Sequence, residues 1–501
     1  MTASAHKKIK NIVVYLVPAF FSNVLPLLTF PIMTRFLVPE DFGISALAMA
    51  TVGIISSIVT CNMSSATQRY YFQYRKDINT LSQLINSSMA FLFVVFIVSS
   101  LLVFMGMNVI SKLVMGSTAY AIPLLVAYAG NYLNIIVNLY LLLYRNMERA
   151  KEYSFFTIMQ MVINIIITLL MACVFRMGYL SLIYPIFISS LIVTIILGYR
   201  FLKEYPFQFK TKMLIDNLIY GIPLLLNIFT SSISSFFDKY LLRSMVSLAS
   251  TGLFSVAQNI GNKMFVFMTA VQSTFHPLIM KDMFDKGEDG ASAVGRHFTI
   301  FTYICLSVVL PAILFGEEII YILAPKSYSG VVSIFMIVLC GIATQTFGKV
   351  VGLPLEYAKK AYLSFPISII SVIANVGLNI LLIPRYEAAG AAFAFAFTII
   401  LSNSIYIMIS QRFYRIKYDW FVLFCLFANL FIAAVLLIYL RSIDASFIIK
   451  YFVKGFSVLA FLLIGKRTGI INKKNIKILI DIIMFKMVVE NKTNNGITLE
   501  Q

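Results

Sequence analysis

The sequence predicts an all-α polytopic membrane protein with about 14 transmembrane helices. Two bulk observations carry this: the 501 residues are 60% hydrophobic and only 12% charged, and the mean hydropathy is +0.89. A soluble chain of this length needs far more polar surface. A third observation selects helices. The apolar runs are continuous over about 20 residues, the length a helix needs to cross the hydrocarbon core, and do not alternate over about ten as barrel strands do.

Taken in order, the spans fall near 12–34, 42–63, 84–105, 119–143, 154–174, 178–200, 217–237, 250–275, 297–320, 331–352, 361–383, 389–410, 419–440 and 447–465. The first follows Lys7, Lys8 and Lys10. It is too long for a signal-peptide core and no small-x-small site follows, so it reads as a retained helix. The last is the weakest, with Lys450 and Lys454 in its first half. Residues 276–296 form the longest internal gap and read as an exposed connection. After the last span, residues 473–489 hold Lys474, Lys477 and Asp481 on one face, the pattern of an interfacial helix.

Charge sorting gives the orientation. With the N-terminus in the cytoplasm, 28 of the 40 Lys and Arg residues fall on that side, ten fall opposite, and Lys263 and Lys349 lie inside spans. Such a bias over short loops places both termini in the cytoplasm. The net charge of +19 is then a topology signal and an attraction to the lipid bilayer, and not a nucleic-acid footprint.

A repeat organises the spans. Tyr15-x-x-Pro18 opens the first and Tyr220-x-x-Pro223 opens the seventh, while Gly43 and Gly252 open the spans that follow. Six spans separate the copies, so the halves share an orientation, as in two-lobed transporters with a pseudo-two-fold axis along the membrane normal. The expected organisation is a first six-helix lobe over 1–212, a second over 213–415, two further spans over 416–465 and a basic cytoplasmic tail over 466–501.

Motifs for catalysis and energy coupling are missing. Gly348-Lys349 lacks the first Gly and the Ser/Thr of a phosphate-binding loop, which argues against ATP hydrolysis. Five single cysteines and three scattered histidines have no metal-ligand spacing, and His276, before Pro277, reads as an interfacial residue at a helix end. No cofactor or metal is expected.

Intramembrane charge points to function. Lys263 sits near the middle of its span, and Gln258, Asn259 and Asn262 share its face. A lipid-facing Lys at that depth costs several kcal/mol, so the face looks into a protein or water-filled interior. Lys349 has two readings, a second interior cation or a side chain reaching the cytoplasmic interface. The polar run Cys61 to Arg69 reads equally as a vestibule wall or a helix end. Asp238 reads as an end-of-span residue beside Lys239, and no carboxylate lies in the middle of the first six spans. A basic interior suits an anionic substrate.

Several segments resemble one family. NVGLNILLIPRYEAAGAA over 375–392, the segment from Tyr220-Gly221-Ile222-Pro223 through Asp238-Lys239-Tyr240 to Gly252-Leu253-Phe254-Ser255, and PIMTRFLVPEDFG over 31–43 resemble Wzx-type flippases of polysaccharide repeat units. Their superfamily also holds multidrug exporters and lipid II flippases. One departure is Glu387, where the family typically has Gly. The resemblance implies translocation of a polyprenyl-pyrophosphate-linked oligosaccharide, an O-antigen, capsule or exopolysaccharide unit, across the bacterial cytoplasmic membrane, with polysaccharide polymerase and assembly proteins as further partners. It implies a basic central cavity with Lys263 as principal cation, Lys349, Arg35 and Arg69 as further cations, and Asn259 and Gln258 as glycan contacts. It also implies bending at Pro18, Pro26, Pro31 and Pro223 during alternating access. Two alternatives are a cation-coupled multidrug exporter of the same fold and a polytopic glycosyltransferase or polymerase using Glu40 and Asp41.

Overall fold

The computed structural model describes residues 3–472, except for the side chains of 3–13, 15, 16, 19, 226–228 and 349, and contains no β-strand among the described residues. The interfacial helix expected over 473–489 lies outside that range. Its helices are α1 (Ala3–Phe36), α2 (Pro39–Val59), α3 (Met63–Tyr74), α4 (Ile78–Met115), α5 (Ala121–Asn146), α6 (Ala150–Leu169), α7 (Leu180–Glu204) and α8 (Thr211–Met245). There follow α9 (Leu248–Lys286), α10 (Ala291–Leu314), α11 (Gly316–Leu323), α12 (Val331–Val351), α13 (Leu353–Tyr357), α14 (Ser364–Ser410), α15 (Trp420–Ser442) and α16 (Phe447–Arg467).

Among the described residues, ten helical runs are long and apolar enough to cross a membrane, or up to eleven with the bent α8 included. The sequence suggested about 14. The figures differ because expected spans 250–275 and 297–320 join in the run Leu248–Leu314, 361–383 and 389–410 join in Ala361–Ser410, and expected span 12–34, in α1, is not among the runs counted. The connection expected over 276–296 has many exposed residues and is helical over most of its length. Buried Phe275, Ile279 and Met283 recur every fourth residue and keep α9 helical beyond Pro277 to Lys286. His276 therefore lies inside a helix, and Gly287, at φ 53°, supplies the left-handed stop.

The chain forms two compact units. The first comprises residues 1–263, 317–338 and 362–402. Helix starts in it follow from capping chemistry. Pro39 opens α2, and the Asp41 carboxylate accepts the Val38 N–H at 3.0 Å. Asp77 caps α4 by accepting N–H groups of Asn79 and Thr80 at 3.1 and 3.3 Å. The Thr80 hydroxyl and these amides hold the Asp77 carboxyl below the usual carboxylate range. Two buried phenols find backbone acceptors: Tyr132 donates to the Leu92 carbonyl at 3.0 Å, and Tyr328 donates to that of Leu37 at 2.7 Å.

The backbones of α2 and α9 approach closely in this unit. A Cβ on Gly43 would overlap the carbonyl oxygen of Leu248 and lie 3.0 Å from the Gly252 nitrogen. A Cβ on Gly252 would overlap the carbonyl oxygen of Pro39 and lie 3.0 Å from the Gly43 nitrogen. The contact is reciprocal, since each glycine meets the other and the carbonyl four residues before it. Gly43→Ala and Gly252→Ala are each expected to destabilise the protein by roughly 3 kcal/mol, because backbone cannot repack as a side chain can. Melting of the purified variants checks this, and wild-type stability in either would contradict the geometry.

Within α14, Glu387 alone has non-helical angles, φ 50° and ψ −129°. That region is nearly closed to residues with a Cβ, which explains why glycine is usual there in the family that this segment resembles. Glu387 is exposed, so its side chain contributes no packing to offset the strain. Glu387→Gly is expected to gain about 1 kcal/mol net of the added chain entropy. In a chain this long that raises the melting temperature by roughly 1–2 °C; a lower melting temperature would mean that Glu387 is unstrained.

The second unit comprises 264–316, 339–361 and 403–501. Its core stacks Tyr303 on Phe461 with ring centroids 4.3 Å apart, and Asn403 donates to the Thr344 carbonyl at 2.7 Å. Lys454, the charge that made the last span weak, is 4% exposed in α16. Its ammonium lies 4.6 Å from the Tyr451 ring centroid and 5.0 Å from that of Phe315, so aromatic faces replace part of its hydration.

Candidate functional site: a buried charged network and the polar face of α9

Two adjacent charges on α8 are buried in the first unit. Asp238 is 2% exposed and Lys239 7%. They make no ion pair within 4 Å; each is instead held by neutral groups. The Asn379 amide donates to Asp238 Oδ1 at 2.7 Å and to Asn375 Oδ1 at 3.2 Å, while the Ser234 hydroxyl donates to the same Asn375 oxygen at 3.2 Å. Lys239 Nζ donates to the Ser235 hydroxyl at 3.0 Å, the Ser235 carbonyl at 3.2 Å and Gln258 Oε1 at 3.2 Å.

Helical spacing builds this network. Asn375 and Asn379 are four residues apart, on one face of the first half of α14, and Ser234 and Ser235 precede the two charges by four residues on α8. Asp238 therefore does not end its helix. α8 continues to Met245, two turns beyond the expected boundary, and the Asn pair of α14 closes over the charge. The network was missed in the sequence because its two halves lie 141 residues apart. The repeated Asn at i, i+4 in an apolar helix was the available signal.

Of the expected site residues, Gln258 turns its side-chain oxygen to Lys239, leaving its amide N–H groups for other partners. Asn259 is exposed and Lys263, one turn further along α9, is half-buried. Lys263 has no hydrogen-bond or ion-pair partner among the described residues, in contrast to Lys239. Arg69, on α3, is exposed, with its guanidinium 4.4 Å from the Tyr220 ring centroid and 5.6 Å from that of Tyr70. Arg35 is exposed near the end of α1. The side chain of Lys349 lies outside the described residues.

The run Cys61 to Arg69 is not one helix. Cys61 and Asn62 both have φ 49°, which separates α2 from α3. Gly221 fits against this turn, where a Cβ would overlap the Cys61 carbonyl oxygen. That approach brings Tyr220 under Arg69. An arginine over aromatic faces and a half-buried lysine beside an exposed asparagine are groups that recognise phosphate and sugar hydroxyls.

Of the expected bending positions, Pro18, Pro26 and Pro31 lie within α1, which runs continuously to Phe36. Its Thr29 and Thr34 hydroxyls bond back to carbonyls of the preceding turn at 3.1–3.3 Å. Pro223 lies just before a 48° bend in α8 between Thr211–Leu225 and Phe229–Met245. Glu40 and Asp41 form the first turn of α2, with Asp41 used in capping. All five cysteines are free, and no group of three His, Cys, Asp or Glu residues suited to a metal occurs among the described residues. His297 and His276 instead meet Asp282 at 3.0 Å and Glu356 at 3.8 Å.

Comparison with known proteins gives family and fold. A family model described as "Polysaccharide biosynthesis protein" matches residues 9–283. No curated protein matches the chain. Among solved structures, the lipid II flippase MurJ in an inward closed conformation is 14% identical with a TM-score of 0.68, over 91% of this chain and 98% of that one. A multidrug resistance MATE family transporter of the MOP superfamily, inward-facing, is 15% identical with a TM-score of 0.64, over 80% and 97%. A MOP superfamily transporter from Pyrococcus furiosus, described as having a binding pocket of reverse polarity, is 16% identical with a TM-score of 0.57, over 80% and 95%. At these identities the likeness is one of fold.

Proposed function

We infer that this chain, which belongs to the polysaccharide biosynthesis protein family, is a flippase for a polyprenyl-pyrophosphate-linked oligosaccharide. The observation that carries this reading is Lys263, a cation halfway along a 39-residue apolar helix with no partner among the described residues. A cation kept unpaired at such a cost is suited to an anion that arrives and leaves. Asn259 and the free amide of Gln258 are placed to bond glycan hydroxyls, and Arg69 over Tyr220 offers a second anion contact. Arg35 and Lys349 complete the proposed set.

In this reading the substrate crosses from the cytoplasmic to the outer leaflet of the bacterial inner membrane by alternating access, with both termini cytoplasmic. Pro18, Pro26, Pro31 and Pro223 supply the bending, and polymerase and assembly proteins receive the product. The two-lobe organisation over 1–212 and 213–415 is supported by the reciprocal contact of Gly43 and Gly252, glycines that occupy equivalent places in the repeat. A cytoplasm-negative potential drives an anion outward by about 2.3 kcal/mol per charge per 100 mV, which supplies a driving force without a coupling ion. The exporter alternative needs a buried acid in the first lobe, and no carboxylate lies in the middle of the first six expected spans.

Flipping by purified protein in proteoliposomes tests the reading, with a fluorescent polyprenyl-pyrophosphate oligosaccharide as substrate. Protein-dependent movement between leaflets, accelerated by an imposed potential, is expected. Drug transport without movement of the lipid-linked glycan would sink it.

A further inference from the structure

A groove on the first unit lies away from the residues discussed so far. It has a volume of about 700 Å³, lies between α4, α5 and α7, and is lined almost wholly by apolar groups. Phe93, Ile97, Leu191, Ile195 and Leu202 give it a surface suited to a hydrocarbon chain. On α4 it runs from Ile85 to Ile97, about 18 Å at 1.5 Å per residue, close to the depth of a single leaflet.

The groove is not uniformly apolar along its length. Tyr199, at one end, also lines a separate pocket of about 330 Å³ formed with Arg149, Glu152, Arg200, Lys203 and Glu204. Arg149 is engaged there, donating to Glu204 Oε2 at 2.7 Å. Arg200 and Lys203 are exposed and make no ion pair or hydrogen bond among the described residues; the Arg200 guanidinium lies 5.4 Å from the Phe156 ring centroid. With Glu152 the only other acid in the pocket, one positive charge remains uncompensated. An apolar slot one leaflet deep that ends at a pocket with one excess positive charge is complementary to an amphiphile with a phosphate head.

We propose that this groove is a binding site for an acidic phospholipid of the leaflet at the basic end of the helices, with its phosphate between Arg200 and Lys203 and an acyl chain in the groove. The depth selects a membrane phospholipid over a prenyl carrier, whose longer chain outruns one leaflet. The site depends on the membrane fold alone and stands apart from what the protein transports.

Native mass spectrometry of the full chain in non-ionic detergent tests this with phosphatidylglycerol and phosphatidylcholine of identical acyl chains. The wild type is expected to retain one phosphatidylglycerol in preference. Each of Arg200→Gln and Lys203→Gln should weaken retention about fivefold, and the pair roughly 25-fold. Gly198→Leu fills the slot from a position where a Cβ meets only the Tyr140 hydroxyl at 3.6 Å, and should lower retention with both cations intact. Melting temperatures near wild type show that these variants fold. Equal retention of the two lipids, or a preference unchanged in the double variant, would overturn the site. Displacement by equimolar inorganic phosphate would reduce it to an anion pocket, and displacement by an equimolar prenyl phosphate would assign it to the carrier; either result also refutes the proposal.

Discussion

Asp238→Ala is expected to destabilise the folded protein by about 3–5 kcal/mol, as a buried charge stripped of its counter-charge does. Asp238 and Lys239 do not touch, yet they share one desolvated region, and the net charge there is zero only while both remain. Alanine at 238 leaves Lys239 buried with three neutral oxygens and leaves the Asn379 amide only its longer bond to Asn375 Oδ1. The double variant Asp238→Ala, Lys239→Met should recover at least half of the loss, because it removes the uncompensated charge and fills the space with apolar atoms. Thermal melting of the single and double variants in one detergent measures the coupling. Additive losses would mean that the two charges are independent.

Lys263→Ala should behave in the opposite way. With no partner among the described residues, its loss should leave melting and abundance near wild type while lowering transport of the lipid-linked oligosaccharide roughly 10- to 100-fold. That range corresponds to about 1.5–3 kcal/mol for a hydrogen bond to a charged group. Lys263→Arg keeps the charge and should retain more activity than Lys263→Gln, which keeps only hydrogen bonding. Wild-type transport by the alanine variant, measured in the same proteoliposomes, would remove Lys263 from the site.

The contrast between these residues shows what was legible in the sequence. Continuous apolar runs announced the helical membrane fold because lipid demands them of each span by itself. Lys263 was legible for the same reason, since a charge in the middle of a span stands out locally. Asp238 and Lys239 were not, because their burial depends on Asn375 and Asn379 arriving from a distant helix. The extension of α9 to Lys286 escaped for a different reason. Polar residues at 281–289 masked a buried stripe of Phe275, Ile279 and Met283 that holds the helix together beyond the apolar stretch. Glu387 was visible as a departure from the resembling family, but its meaning required the backbone angles.

The crossing at Gly43 and Gly252 has a consequence for how this chain tolerates change. Each glycine touches backbone, and the three atoms nearest to a Cβ at either position are all backbone atoms. An ordinary core substitution is relieved when a nearby residue shrinks or turns to another rotamer. Here the nearest obstacle is backbone, so shrinking a neighbouring side chain does not remove it. The contact also has the form of an isologous interface, in which one patch meets its own copy. In the proposed two-lobe repeat, a half-length precursor assembled as a symmetric pair would meet its twin through this single glycine, and joining two copies in one chain would turn one constrained position into two.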